Sequence, residues 1–194
     1  MGMDTVELVM EFENYFRVQI PNAEAEQMTT IQEAADTIAR HLAITRKDAP
    51  LRDRVFSIIR TTVSNADKNE PVQLSACIAQ YISPHNEMLW QTLESALGMR
   101  IPLPLTSRPE KIKVGWLIKK LVDWSAAYDW NTITTEQFIL TICARNYITL
   151  LNPDAISNYY EILVAVTGIT VNKSGVDYYD AMPEKFFTSD LGMD

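Results

Sequence analysis

The chain has 194 residues, 47% of them hydrophobic and 22% charged. That is enough for one substantial core or two small ones hiding roughly 70% of the unfolded surface, which excludes wholesale disorder. Its 25 Asp and Glu outnumber its 17 Lys and Arg, and the net charge of -8 excludes an unaided grip on nucleic-acid phosphates, which require positive neutralisation. With two cysteines, Cys77 and Cys143, and neither a CxxC nor a Cys/His cluster, a disulfide scaffold and a structural zinc site both lack material, and a reducing compartment fits.

From Thr5 to Phe16 the residues Val6, Leu8, Val9, Met10, Phe12, Tyr15 and Phe16 form a broad helical stripe, with Asp4, Glu7, Glu11 and Glu13 on the other side. Asp4 reads as the N-cap and Glu7, three positions on, completes a capping box. Pro21 and Asn22 break the pattern, and residues 23–27 fit one helical turn. Thr29 or Thr30 caps the next helix, in which Ile31, Ala34, Ala35, Ile38 and Leu42 recur three or four apart up to about Ala43. Residues 55–63 make a further amphipathic segment, followed by the polar run SNADKNEP at 64–71 and an apolar group from Leu74 to Ile82. After Pro84, Met88, Leu89, Leu93 and Leu97 mark a helix that Gly98 terminates. Three prolines, Pro102, Pro104 and Pro109, stiffen a connector.

Residues 112–130 place Ile112, Trp116, Leu117, Leu121, Trp124 and Trp130 beside Lys111, Lys113, Lys119 and Lys120, a pattern for a docking helix inside an acidic protein, with a membrane-surface helix as the alternative. Thr135 precedes a run through Phe138, Ile139, Ile142, Cys143, Tyr147 and Leu150. The last helical pattern, Tyr159 to Val166, is expected to stop at Gly168, with Gly168–Val171 the one candidate strand. From Thr170 onwards the chain reads as polar loop anchored by Phe186, Phe187 and Leu191. The fold class is therefore all-α, since convincing period-two strands with hairpin turns are absent.

The segment DTVELVMEFENYFRVQIPNAEAEQMTTIQEAADTI, residues 4–38, closely resembles helices two to four of the acyl carrier protein family, with its acidic helix, Ile-Pro break and Met-Thr-Thr cap. Residues 156–194, ending Asp190-Leu191-Gly192-Met193-Asp194, resemble the first helix and loop of that family, with its Asp-Leu-Gly-x-Asp signature. The resemblance implies a circularly permuted or swapped carrier-like helical bundle. In it the tail helix covers the bare apolar side of the opening helices, Tyr160, Leu163 and Val164 lying against Val6, Val9 and Ile38. Pairing within one chain and helix exchange between two are both open.

Residues 89–102 align without gaps on residues 8–21: Leu89 on Leu8, Leu93 on Phe12, Glu94 on Glu13, and Ile101-Pro102 on Ile20-Pro21. The middle of the chain therefore reads as a second, degenerate helical unit. The expected organisation is 1–44 as helices two to four, 51–152 as the middle unit, and 153–194 as the first helix and loop packing with 1–44. Residues 1–36 with 154–194 carry a net charge of -12 and the remainder +4, so the lysine-bearing segment near 111–120 complements the acidic unit.

Carrier proteins of this family attach phosphopantetheine to a Ser. The resemblance places Gly2 at that position, and glycine has no hydroxyl, so no cofactor is expected. Asp4, Glu7, Glu11 and Glu13 match the acidic surface that enzymes read in the family, which implies a protein partner with a basic surface. The preferred function is a non-catalytic, carrier-like interaction protein. One alternative is an acyl carrier in fatty-acid or polyketide-type metabolism that bears phosphopantetheine on Thr5. Another is a small apolar ligand binder that uses the tryptophans and aliphatic side chains of the middle region.

No catalytic constellation is legible. His41 and His85 have no carboxylate, cysteine or serine placed by sequence to make them bases, Asp177, Asp180, Asp190 and Asp194 sit in loops, and Tyr178 and Tyr179 read as loop anchors. Cys77 and Cys143 read as buried thiols, and no metal site is expected. No 18-residue apolar run occurs and the opening MGMDTVELVMEFE is acidic, so neither a transmembrane span nor a secretory signal is expected and the assigned location is cytoplasmic.

Overall fold

The computed structural model describes residues 2–64, 71–102 and 129–193. Among them the chain is all-α, with helices α1 (Met3–Phe16), α2 (Asn22–Ala25), α3 (Ile31–His41), α4 (Pro50–Ser64), α5 (Glu87–Leu97), α6 (Thr135–Arg145), α7 (Tyr147–Leu150) and α8 (Tyr159–Ser174). Isolated bridges, Thr30 with Phe186 and Cys77 with Thr134, are the only β pairing among the described residues.

Side-chain caps fix most helix starts. Thr30 Oγ1 accepts from Glu33 N–H at 3.1 Å while Glu33 accepts from the backbone of Thr29 and Thr30, a complete capping box. The hydrogen bonds from Thr29 hold the Glu33 carboxyl below its usual range. Thr134 and Gln137 repeat the box on α6. Asn86 caps α5 and Asn158 caps α8. Gly98 closes α5 at φ 63°, where a side chain would be strained.

The beginning of α1 departs from the sequence reading. Its N-cap is Gly2, which offers no side-chain bond, and Asp4 lies within the first turn. A carboxylate in the first turn is favoured by the helix dipole. The group from Leu74 to Ile82 forms only a single 3-10 turn, Ile78–Gln80, because its backbone is engaged by the start of α6.

Helix α8 is the centre of the core. Tyr160, Ile162 and every residue from Val164 to Val171 are buried, and the helix packs on α3, α1, α6, α7 and α4. It is apolar all round, as a helix enclosed on every side must be. The expected stop at Gly168 and the candidate strand at Gly168–Val171 are both overturned, since the helix runs on to Ser174 and ends at Gly175 with φ 72°. Gly168 marks a close approach. A Cβ there would stand 2.7 Å from the Ala144 carbonyl oxygen and against the Tyr147 ring. The glycine costs about 1 kcal/mol of helix propensity, which packing in the core offsets.

Helix α8 and the loop after it meet α1 and α3. Tyr159 hydroxyl donates to Asp36 Oδ1 at 2.8 Å and accepts from Gln32 Nε2, both on α3. The pairing differs in detail from the expected set: Tyr160 turns instead to Cys143 on α6, and Val6 is 43% exposed. Phe187 and Leu191 anchor the loop as expected, whereas Phe186 is 47% exposed.

A loop lies across the start of α3 and another across the start of α6 in the same way. Phe187 N–H donates to Thr29 O, Ile31 N–H to Lys185 O and Gln32 N–H to Pro183 O, at 2.9, 3.4 and 2.8 Å. Residue for residue, Ile78 N–H donates to Ile133 O, Thr135 N–H to Ala76 O and Glu136 N–H to Leu74 O, at 2.8, 2.9 and 3.0 Å. The turns after α1 and α5 also match. Ile20 N–H donates to Glu13 Oε1 at 2.7 Å, Ile101 N–H to Glu94 Oε1 at 2.9 Å, and the preceding helices end in left-handed Arg17 and Gly98. Helix α4 packs on α5 and α6 as α8 packs on α1 and α3.

Aromatic residues fill the core beside α5 and α6. Trp90, Trp130 and Phe138 contact one another at 5.6–5.8 Å between centroids, and Trp130 also meets Tyr179 at 5.7 Å. The indole N–H groups donate to Ser83 O and Ile82 O, both at 3.1 Å, so these tryptophans are core residues with satisfied donors. Tyr178 and Tyr179 are buried, and Tyr179 hydroxyl donates to Pro102 O at 2.6 Å. The proposed docking helix at 112–130 and its lysines lie, apart from Asp129 and Trp130, outside the described residues, as does most of the polar run at 64–71.

Candidate functional site

Helix α1 presents two rows of apolar side chains with opposite fates. Leu8, Phe12 and Phe16, four apart, are buried, while Val6 and Met10, also four apart, are 43% and 54% exposed. The latter two form the outward row, although the sequence stripe counts them with the core. Exposed Asp4 and Glu7 and half-buried Glu11 accompany them on the helix. This surface, apolar in the middle and acidic around it, has the chemistry for a basic amphipathic partner.

Glu13 has a different task. Its Oε1 accepts the Ile20 N–H and so fastens the turn after α1. Lys173, which the sequence reading did not single out, reaches from the last turn of α8 to Glu11 at 3.0 Å and Glu7 at 3.9 Å. A cation at a helix C-terminus is common for dipole reasons, so its position alone does not reveal that its ammonium crosses to another helix.

Gly2, the N-cap of α1, is extended at φ -77° and ψ 178°, a conformation open to any residue. Thr5 is 7% exposed, and its hydroxyl donates to Gly2 O at 2.9 Å. Thr5 Oγ1 is therefore covered and engaged by the backbone.

Two clefts adjoin α1. One of about 210 Å³ is lined by Glu11, Tyr15, Tyr147, Ile169, Asn172 and Lys173. Burial, with Tyr147 nearby, pushes the Tyr15 phenol up to about 12. The other is a shallow surface hollow along residues 13–14 and 17–22. Both linings include charged side chains, Glu11 and Lys173 in the first and Glu13 and Arg17 in the second.

The remaining candidates have local explanations. His41 Nε2 lies 3.1 Å from Glu24 Oε2, and His85 N–H donates to Ser83 Oγ at 3.4 Å. Cys143 is buried and burial pushes its thiol up to about 12, the inert form, while Cys77 is half-buried. Among the described residues no group of three or more His, Cys, Asp or Glu side chains could hold a metal ion. No described helix is long and apolar enough to cross a membrane.

Comparison with known proteins gives a short but close likeness. A 39-residue stretch, 20% of the chain, is 55% identical to the acyl carrier protein of Chlorobium phaeobacteroides (strain DSM 266 / SMG 266 / 2430). The acyl carrier proteins of Chlorobium phaeovibrioides and Chlorobium luteolum match with the same identity and length. The chain spans about half the length of these curated relatives. No family model matches, and no solved structure matches.

Proposed function

We propose that the chain is a non-catalytic, carrier-like interaction protein whose attachment position is Gly2, so that it works without phosphopantetheine. In this reading α8 and the loop after it serve as the family's first helix and loop, completing α1–α3 from the far end of the sequence. The observation that carries it is the join itself: α8 packs on α1 and α3, and residues 183–187 bond to the backbone at 29–32. Residues 1–44 and 153–194 then form one unit. The matched hydrogen bonds around α4, α5 and α6 support 51–152 as a second. The partner is a protein with a basic surface that docks on Asp4, Glu7 and Glu11 around Val6 and Met10. Glu13 contributes to that charge while holding its turn. The place of work is cytoplasmic.

The test is intact mass after incubation with a promiscuous phosphopantetheinyl transferase and coenzyme A. Wild type is expected to stay unmodified, whereas Gly2→Ser, which the backbone accepts and a serine N-cap favours by a few tenths of a kcal/mol, gains one group. A gain on wild type overturns the proposal. Thr5→Ala and Ser83→Ala then locate it, Ser83 being the counterpart of Gly2 when the alignment of 89–102 on 8–21 is extended. Light scattering checks that the join is intramolecular. A monomer is expected, and a dimer points to helix exchange.

A further inference from the structure

Glu7 and Glu11, one helical turn apart on α1, share a single ammonium, Lys173 Nζ, at 3.9 and 3.0 Å. The three side chains are 59%, 46% and 33% exposed. Ion pairs in such settings are screened and weak, each contributing on the order of 1 kcal/mol or less. Lys173 therefore does little to hold α8 on α1, which the buried contacts of α8 already secure. Its effect falls on the face: two of the three acids beside Val6 and Met10 are partly neutralised before any partner arrives.

The second unit provides an internal control. At the positions of Glu7 and Glu11 it has Met88 and Thr92, and α4, the counterpart of α8, has no basic residue in its last turn. The acids and the cation that answers them are both absent there. Helix-dipole stabilisation alone would favour a cation at the end of α4 as much as at the end of α8.

We propose that Lys173 is an intramolecular competitor for the acidic face of α1, which a basic partner displaces as it docks. The consequence is discrimination. A partner with one or two cations gains little over Lys173, whereas one that brings several and also covers Val6 and Met10 wins. This rests on the reading of α1 as the partner face, and the displacement is cheap because the pairs are exposed.

The experiment titrates the full chain into a fluorescein-labelled amphipathic helical peptide of leucine and lysine and follows anisotropy. Lys173→Gln, and Lys173→Met, which keeps the aliphatic stem, are expected to tighten binding about fivefold at low salt, with the gain fading by about 0.5 M salt. Lys173→Arg is expected to resemble wild type. In the Glu7→Gln/Glu11→Gln background the Lys173 substitutions are expected to have no effect. If the acid substitutions weaken binding but neither Lys173 variant tightens it, the competitor role is wrong and the partner face stands. If the acid substitutions leave wild-type binding unchanged, or nothing binds, the partner face fails and the competitor role with it.

Discussion

The helices α8, α1 and α3 and the helices α4, α5 and α6 pack alike but differ in their glutamates, and the comparison separates a carboxylate that holds the backbone from those that do not. Glu13 and Glu94 both accept the backbone N–H seven residues on, Ile20 and Ile101, and so close the same turn. Asp4, Glu7 and Glu11 have no such duty, and their counterparts are His85, Met88 and Thr92. A carboxylate that satisfies a backbone donor appears at the same position of α1 and α5, while the acids at 4, 7 and 11 have no acidic counterpart at 85, 88 and 92.

The largest expected effect falls on the contact between the units. Gly168→Ala drives a methyl group into Ala144 O and the Tyr147 ring and is expected to cost roughly 2–3 kcal/mol, read as a lower urea midpoint. Gly98→Ala, with open space around it but φ at 63°, is expected to cost about 1 kcal/mol. Equal losses would break the claim that Gly168 marks a close approach.

Next in size is the shared turn. Glu13→Ala and Glu94→Ala are each expected to cost about 1.5 kcal/mol, because each leaves a backbone N–H without its charged acceptor. If Glu94→Ala is silent while Glu13→Ala is not, the equivalence of the two units is broken at its best-matched point.

The smallest effect concerns a loop where the units differ. Asp180 is half-buried, and burial, then Asp177, raise its carboxyl from 3.8 to about 6 against the pull of Lys185. The stretch before Leu74 in the other unit, Pro71-Val72-Gln73, has no carboxylate. A raised folded-state value means that the folded chain binds this proton more tightly than the unfolded chain does. The resulting stability is complete below about pH 4 and lost as pH rises through about 6. After allowance for solvent screening the contribution is about 1 kcal/mol. Asp180→Asn is expected to remove that part of the pH dependence, checked by thermal melts at pH 5 and pH 8.

Much of the architecture was legible because short-range chemistry fixed it. Thr30 with Glu33, and Gly98, announce helix ends in the chain itself, and the spacing of Ile31, Ala34, Ala35 and Ile38 marks a buried face. The length of α8 was not legible. Periodicity requires one wet side, and a helix buried all round offers none, so Gly168 read as a stop although it is a contact. The site was half legible. The acids could be named from sequence, but Val6 and Met10 could not be assigned to the outside, since the same residue types form the inward row. Lys173 was out of reach because its partners lie more than 160 positions away in the chain.

The placement of α8 has a consequence for biosynthesis. Helices α1 and α3 leave the ribosome before α4, α5 and α6, yet the surface that shields their greasy side comes from residues 159–174. Until those residues emerge, α1 and α3 lack the helix that covers them, so their closure waits for the whole stretch between α3 and α8 to be made. The newborn chain meanwhile offers chaperones a binding target.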